Sequence, residues 1–194
     1  MNYIDCIEKV KNSAKSTLSV TRYEHSVRVA ELCARLCKFF GMDEKKGYLA
    51  GIGHDICKEM KETQLLQIVK KAGFSISSYE IEKPILLHGK AAFVALKETF
   101  SVDDDDVLEA VAVHVVGSPD MCDLAKCLYI ADKVEPGRSW ITDKYIENLF
   151  KMKLDEMLLF VLDSTVSHLL KKGYSISNET QSLLDDLRKK NEKN

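Results

Sequence analysis

Apolar residues recur at intervals of three and four along almost the whole chain. No β-branched run alternates in twos over more than a few residues, so the pattern predicts an all-α fold. A first amphipathic helix over about 2–16 presents Ile4, Ile7, Val10 and Ala14. A second is expected from Thr21, which forms a T-x-x-E capping box with Glu24, to just before Gly41. On it His25, Val29, Leu32 and Leu36 share one face, so His25 points inward near the helix start. A third helix, capped by Asp43, runs into the adjacent pair His54-Asp55, with Gly51 and Gly53 allowing close approach of a neighbouring backbone.

A fourth helix spans about 61–72 and stops at Gly73; Pro84 then opens a short segment that presents His88 before a helix of about 89–100. The acidic run Asp103–Asp106 reads as the cap and first turn of the next helix, which carries His114 near its end and stops at Gly117. Ser118-Pro119-Asp120 is expected to start the following helix, whose apolar stripe of Leu124, Cys127, Leu128 and Ala131 turns Asp132 toward the core before Glu135-Pro136-Gly137 ends it. Three more helices are predicted over about 142–151, 153–172 (stopped by Gly173) and 178–190, with the final Lys-Lys-Asn-Glu-Lys-Asn frayed. No repeat, linker or composition break divides the 194 residues, which therefore read as a single domain.

Composition narrows the function classes. A net charge of −2 gives no basic excess for a nucleic-acid duplex or an anionic membrane surface. No stretch reaches the roughly 20 apolar residues of a membrane span, and the charged N-terminal segment is no signal peptide. The six cysteines lack a CxxC pair and read as reduced, small buried side chains of a cytoplasmic protein.

The histidines carry the chemistry. Four of the five, His25, His54, His88 and His114, fall with Asp55 and Asp132 at the ends of apolar helical runs, where side chains from different helices converge. Imidazoles and carboxylates are the ligands of iron, manganese and similar ions, and a water bound to such an ion loses its proton near neutral pH. Two histidines and two carboxylates leave open positions on an octahedral ion, as a hydrolase needs. Arg22, Lys58, Lys90, Lys133 and Arg138 lie close in sequence to these positions and suit a phosphate-bearing substrate; there is no GxxxxGK[ST] loop to hold phosphates otherwise. Spacing leaves open for His88 and His114 the roles of general acid, phosphate donor or ligand of a second metal. His168 lies on a tail helix outside the pattern; Trp140 could cover the site, but its large apolar area favours the core or an interface.

The order His, His-Asp, late Asp resembles the HD superfamily of metal-dependent phosphohydrolases. The segments Arg22-Tyr23-Glu24-His25-Ser26, His54-Asp55-Ile56-Cys57-Lys58, Leu86-Leu87-His88-Gly89, His114 with Gly117, and Tyr129 to Arg138 are similar within it to the YqeK family of symmetrical diadenosine tetraphosphate hydrolases. The resemblance implies an HD-domain helical bundle with a metal-binding core at about 20–140 and a helical C-terminal extension at about 141–190. It implies an iron-type ion, or manganese or another transition ion, on His25, His54, Asp55 and Asp132, with a second metal at His88 and His114 left open. Catalytic roles would fall to Asp55, His88, His114 and Lys58. Contacts to a dinucleoside polyphosphate or ADP-like nucleotide would come from His25, Lys58, His88, His114, Asp132, Arg138, Gly173 and Thr180. The implied reaction is cleavage of diadenosine tetraphosphate into two ADP by metal-activated water. The neighbouring readings are an HD-type nucleotidase or alarmone phosphohydrolase, and a catalytically weak nucleotide-binding regulatory module. A homodimer is compatible with all of these. The chain departs from the family pattern at Val115-Val116, where two threonines are usual, at Ser177-Asn178, where His-Pro is usual, and at Lys133-Val134 in place of an aromatic-aliphatic pair.

Overall fold

The computed structural model describes residues 2–192. Among them are eleven α-helices, one 3₁₀ turn and no strand. The helices are α1 (Tyr3–Thr17), α2 (Val20–Phe39), α3 (Glu44–Gly53), α4 (Glu62–Lys71), α5 (Ser78–Glu82), α6 (His88–Glu98), α7 (Asp105–Val113), α8 (Asp123–Val134), α9 (Asp143–Leu149), α10 (Leu154–Lys171) and α11 (Asn178–Asn191), with the 3₁₀ turn at Pro84–Leu87. The last helix continues through Lys189 and Lys190 to Asn191 rather than fraying there, and the final two residues lie outside those described.

The antiparallel pair α2 and α3 sets the site. A Cβ on Gly47 would stand 2.7 Å from Cys37 Sγ and 2.9 Å from the Cys33 carbonyl, and one on Gly51 only 2.4 Å from Ala30 Cα. Glycine at 51 therefore lets the two backbones touch. With 47 beside 33–37 and 51 beside 30, one further turn of α3 sets His54 and Asp55 beside His25. Buried Leu124, Ala125, Cys127, Leu128 and Ala131 pack α8 against α2, α7 and α10 and carry Asp132 to the same end of the bundle. One core cluster runs from Cys6 and Val10 through these helices to Leu183 and Leu187.

Several helix starts differ from the sequence reading. α2 begins at Val20, because Ser19 rather than Thr21 is the cap: its Oγ accepts from Arg22 N (3.3 Å), while Glu59 accepts from both Ser19 N and Oγ. α8 begins five residues beyond Ser118, with Cys122 as its cap residue, and Ser118-Pro119-Asp120 is a turn. The short α5, closed by a capping box of Ser77 and Glu80, had no counterpart in the periodicity. On α1 the buried positions are Cys6, Val10 and Ala14, whereas Ile4 is exposed. The acidic run behaves as expected: Asp104 Oδ1 accepts from Val107 N at 3.1 Å.

Candidate metal centre

Each member of the histidine–aspartate series stands at the end of a helix. His25 lies in the first turns of α2, His54 caps the C-terminus of α3, His88 opens α6, His114 caps the C-terminus of α7, and Asp132 lies in the last turn of α8. The last carbonyls of a helix have no partner within it. The His54 and His114 rings use this, Nδ1 donating to the Gly51 carbonyl (2.6 Å) and to Val111 (2.7 Å); His88 Nδ1 donates to Ile85 in the preceding 3₁₀ turn (2.6 Å), whose carbonyl also accepts the His88 backbone N–H. Those bonds place the proton on Nδ1 and leave Nε2 as a lone pair facing the bundle interior.

His25 Nε2 and His54 Nε2 are buried with no hydrogen-bond partner. His25 Nε2 lies 3.2 Å from Asp132 Oδ1 and 3.8 Å from Asp55 Oδ2; His54 Nε2 lies 3.4 Å from Asp55 Oδ2 and 3.8 Å from Asp132 Oδ1. Imidazole and carboxylate ligands sit about 2.0–2.2 Å from a transition ion, so two on one ion are at most about 4.4 Å apart. His25, His54 and Asp55 form one set of three ligand atoms within 4.8 Å of one another, and His54, Asp132 and His114 form an overlapping second. A buried, bare nitrogen pair is costly without a cation to accept it.

Asp55 joins this group to a second. Its Oδ1 lies 3.1 Å from His88 Nε2 and 3.8 Å from His114 Nε2, and the two imidazoles approach to 3.2 Å. Asp55, His88 and His114 again hold three ligand atoms within 4.8 Å of one another. Burial keeps His88 low and pushes His114 down to about 4, against the partial opposition of Asp55. Two neutral rings that face each other through Nε2 need a proton or a cation between them. Burial by itself would raise the Asp55 and Asp132 carboxyls. For Asp55, His54 and His114 outweigh it, and for Asp132, Lys133 and His25 do so, holding both well below the usual range.

Four cations wall the centre. Arg22 bonds Asp55 Oδ2 at 2.8 Å, Lys133 bonds Asp132 Oδ2 at 2.6 Å, Arg138 Nη2 donates to the Asp132 carbonyl at 2.6 Å, and Lys58 Nζ stands 3.4 Å from His88 Nε2. Burial lowers the Lys58 ammonium below its ordinary value. Together with Val115 these residues line an open cavity of about 220 Å³ above the ligands. Lys90, grouped with them in the sequence, is elsewhere: it pairs with Glu80 at 2.6 Å and donates to the Ser75 carbonyl. Neither Gly173 nor Thr180 lines the cavity. Gly173 makes the left-handed turn after α10 (φ 79°), and Thr180 Oγ1 donates to the Val116 carbonyl at 2.8 Å, tying α11 to the segment after His114.

One residue of interest escaped the sequence reading. Glu135 is buried and faces His25 Nδ1 at 3.3 Å while accepting from Arg28 Nε (2.5 Å) and Gly137 N (2.6 Å). Its position three residues after Asp132 was the available signal, hidden in a Pro-Gly stop. His168, on the tail helix α10 as expected, and Trp140 line a second cavity with Lys133 and Arg138. Trp140 is 54% exposed, which excludes the core.

The profile of the HD domain family matches residues 22–137. The chain belongs to the HD domain family. The symmetrical bis(5'-nucleosyl)-tetraphosphatase of Staphylococcus aureus is 33% identical over 92% of this chain and 93% of its own length. The enzyme of the same name from Halalkalibacterium halodurans is 29% identical over 92% of this chain and 95% of its own. The crystal structure of a predicted HD superfamily hydrolase involved in NAD metabolism, from Clostridium acetobutylicum, superposes with a TM-score of 0.87 at 30% identity, covering 94% of this chain and 97% of that one. As in the sequence reading, the fold is an all-helical HD domain, with a histidine–aspartate cluster able to hold a metal.

Proposed function

We propose that this protein hydrolyses diadenosine tetraphosphate symmetrically into two ADP. The observation that carries the reading is Asp55, whose two oxygens face two separate histidine groups beneath a wall of Arg22, Lys58, Lys133 and Arg138. Relatives matched over nearly their whole length bear the name of that activity. His25, His54, Asp55 and Asp132 would hold the ion, and the mixed imidazole–carboxylate set suits iron or manganese. Such an ion activates water and polarises a phosphoryl oxygen.

The side chains supply the rest. Lys58 and Arg138 neutralise phosphate oxygens and the charge that develops on the departing diphosphate. His88 and His114 would serve either to pass a proton to the leaving group or to hold a second ion, which would supply further charge neutralisation there. Asp55 keeps both groups in register. Thr180 supports the site through Val116, and Gly173 sets the turn that brings Thr180 there. Free cysteines throughout the described residues accord with a reducing cytoplasm. A second reading rests on Val115, which lines the cavity with methyl groups where the family resemblance implies a threonine hydroxyl: a nucleotide-binding module with little turnover.

Chromatography of products from the metal-loaded protein tests the proposal. ADP alone from diadenosine tetraphosphate is the expected result. Nucleoside and phosphate from a monophosphate, with the dinucleotide untouched, would make it a nucleotidase. Tight ADP binding without products would make it the regulatory module.

A further inference from the structure

The 220 Å³ cavity over the metal ligands is smaller than the roughly 300–1,000 Å³ of sites that enclose a whole small molecule. It fits phosphates and leaves a nucleoside outside. A second cavity of about 290 Å³ adjoins it, and the two share Lys133 and Arg138 as a common wall. We propose that this second cavity, between the C-terminal end of α8 and α10, binds the nucleobase of one half of the dinucleotide, a proposal that rests on the reading above.

Its lining has the composition that base recognition uses. Trp140 is 54% exposed and meets Tyr145 edge-on at 5.8 Å between centroids, so one indole face is open to a stacking partner. Exposed indoles and imidazoles are the surfaces on which unpaired bases stack. Across from them α10 presents Ser164, Thr165 and His168 at one-turn spacing. The Thr165 hydroxyl gives its proton to the Val161 carbonyl at 2.8 Å and also bonds the buried Tyr129 phenol, which fixes its place in the cavity wall. Between base and metal, Arg138 spends Nη2 on the Asp132 carbonyl while its buried Nε has no partner within the protein. That unused donor lies where the phosphates would pass from one cavity to the other. A substrate with two nucleosides needs room for a base beyond the phosphate cavity, and this cavity has the position and the chemistry for it.

Trp140 is the single tryptophan of the chain, so its fluorescence reports on this cavity alone. Titration of the metal-loaded protein with ADP should quench the emission saturably, and inorganic pyrophosphate, which fills the metal cavity without a base, should leave it unchanged. Trp140→Leu should raise KM for diadenosine tetraphosphate roughly 5- to 150-fold, the range of a lost base–aromatic stack. His168→Ala should raise it in the same direction, and inhibition by pyrophosphate should be unaltered in both variants. Emission indifferent to saturating ADP, with unchanged KM in both variants, would overturn the proposal. It would be overturned equally if Trp140→Leu altered only the oligomeric state in gel filtration, since the face would then be an interface between copies. Continued release of ADP as sole product in either case would leave the proposed activity standing.

Discussion

Removal of Glu135 should weaken metal binding without touching a ligand. The carboxylate holds His25 Nδ1 at 3.3 Å and is itself fixed by Arg28 Nε and Gly137 N. It is 3% exposed, so water does not readily replace it. Outer partners of metal-bound histidines typically contribute ten- to a hundredfold in affinity or activity, about 1.4–2.7 kcal/mol. Glu135→Ala also strands Arg28. Breaking a fully buried ion pair costs about 3 kcal/mol or more, but the Arg28 side chain is 31% exposed, and screening brings the expected loss nearer 1 kcal/mol. For a chain of this length that is a fall in Tm of roughly 2–4 °C.

Competition with a chromophoric chelator measures the affinity, and thermal unfolding of the metal-free protein measures the stability separately. Arg28→Met provides the control: it breaks the same ion pair but leaves Glu135 on His25, so it should lower Tm while keeping near-native affinity. Glu135→Gln, with one acceptor oxygen left, should fall between. A folded Glu135→Ala protein with wild-type metal affinity would refute the orienting role.

Asp55→Ala should abolish both bound metal and turnover, because it removes the oxygens that face both histidine groups; full metal content with near-native activity would disprove the bridging geometry. Lys58→Ala and Arg138→Ala should keep the metal but lose roughly 2–4 kcal/mol of transition-state stabilisation, seen in kcat as well as KM. Unchanged kcat/KM in both would make them surface charges. Asp104 gives a pH test away from the site: it caps α7, accepts from Tyr3 and pairs with Lys46 at 2.8 Å. Burial raises its carboxyl, but Lys46 and Tyr3 outweigh that and hold it below the ordinary value. A depressed folded pKa stabilises above the unfolded value near about 4 and loses that contribution as pH falls through the folded one. Asp104→Asn, which can still cap α7, should therefore lower stability at pH 7 by about 1 kcal/mol or less, with the gap to wild type closing as pH falls through the folded value; equal Tm at pH 7 would show that the network contributes nothing.

The helices and the ligand order were legible in the chain because both depend on local spacing. His25 shares a face with Val29, Leu32 and Leu36, and Asp132 with Leu128, so burying the apolar stripe aims the ligands inward. What escaped depends on tertiary partners. Ser19 caps α2 because Glu59, forty residues away, fixes its hydroxyl. Helix α5 has five residues, too few for a periodic signal. Glu135 looked like punctuation beside Pro136 and Gly137, and Lys90 looked like a phosphate contact until Glu80 claimed it. Trp140 could not be placed between site, core and interface from the sequence; it is not in the core, and it lies beside a cavity that only the packing of α10 against α8 creates.

Hydrolysis of diadenosine tetraphosphate by the metal-loaded protein in oxygen-18 water tests the central claim most directly. Attack at an inner phosphorus, with the phosphates held by Lys58 and Arg138, predicts ADP as the only nucleotide and label in one of every two ADP molecules. Equal amounts of AMP and ATP would contradict the account, even with the metal bound where His25, His54, Asp55 and Asp132 converge.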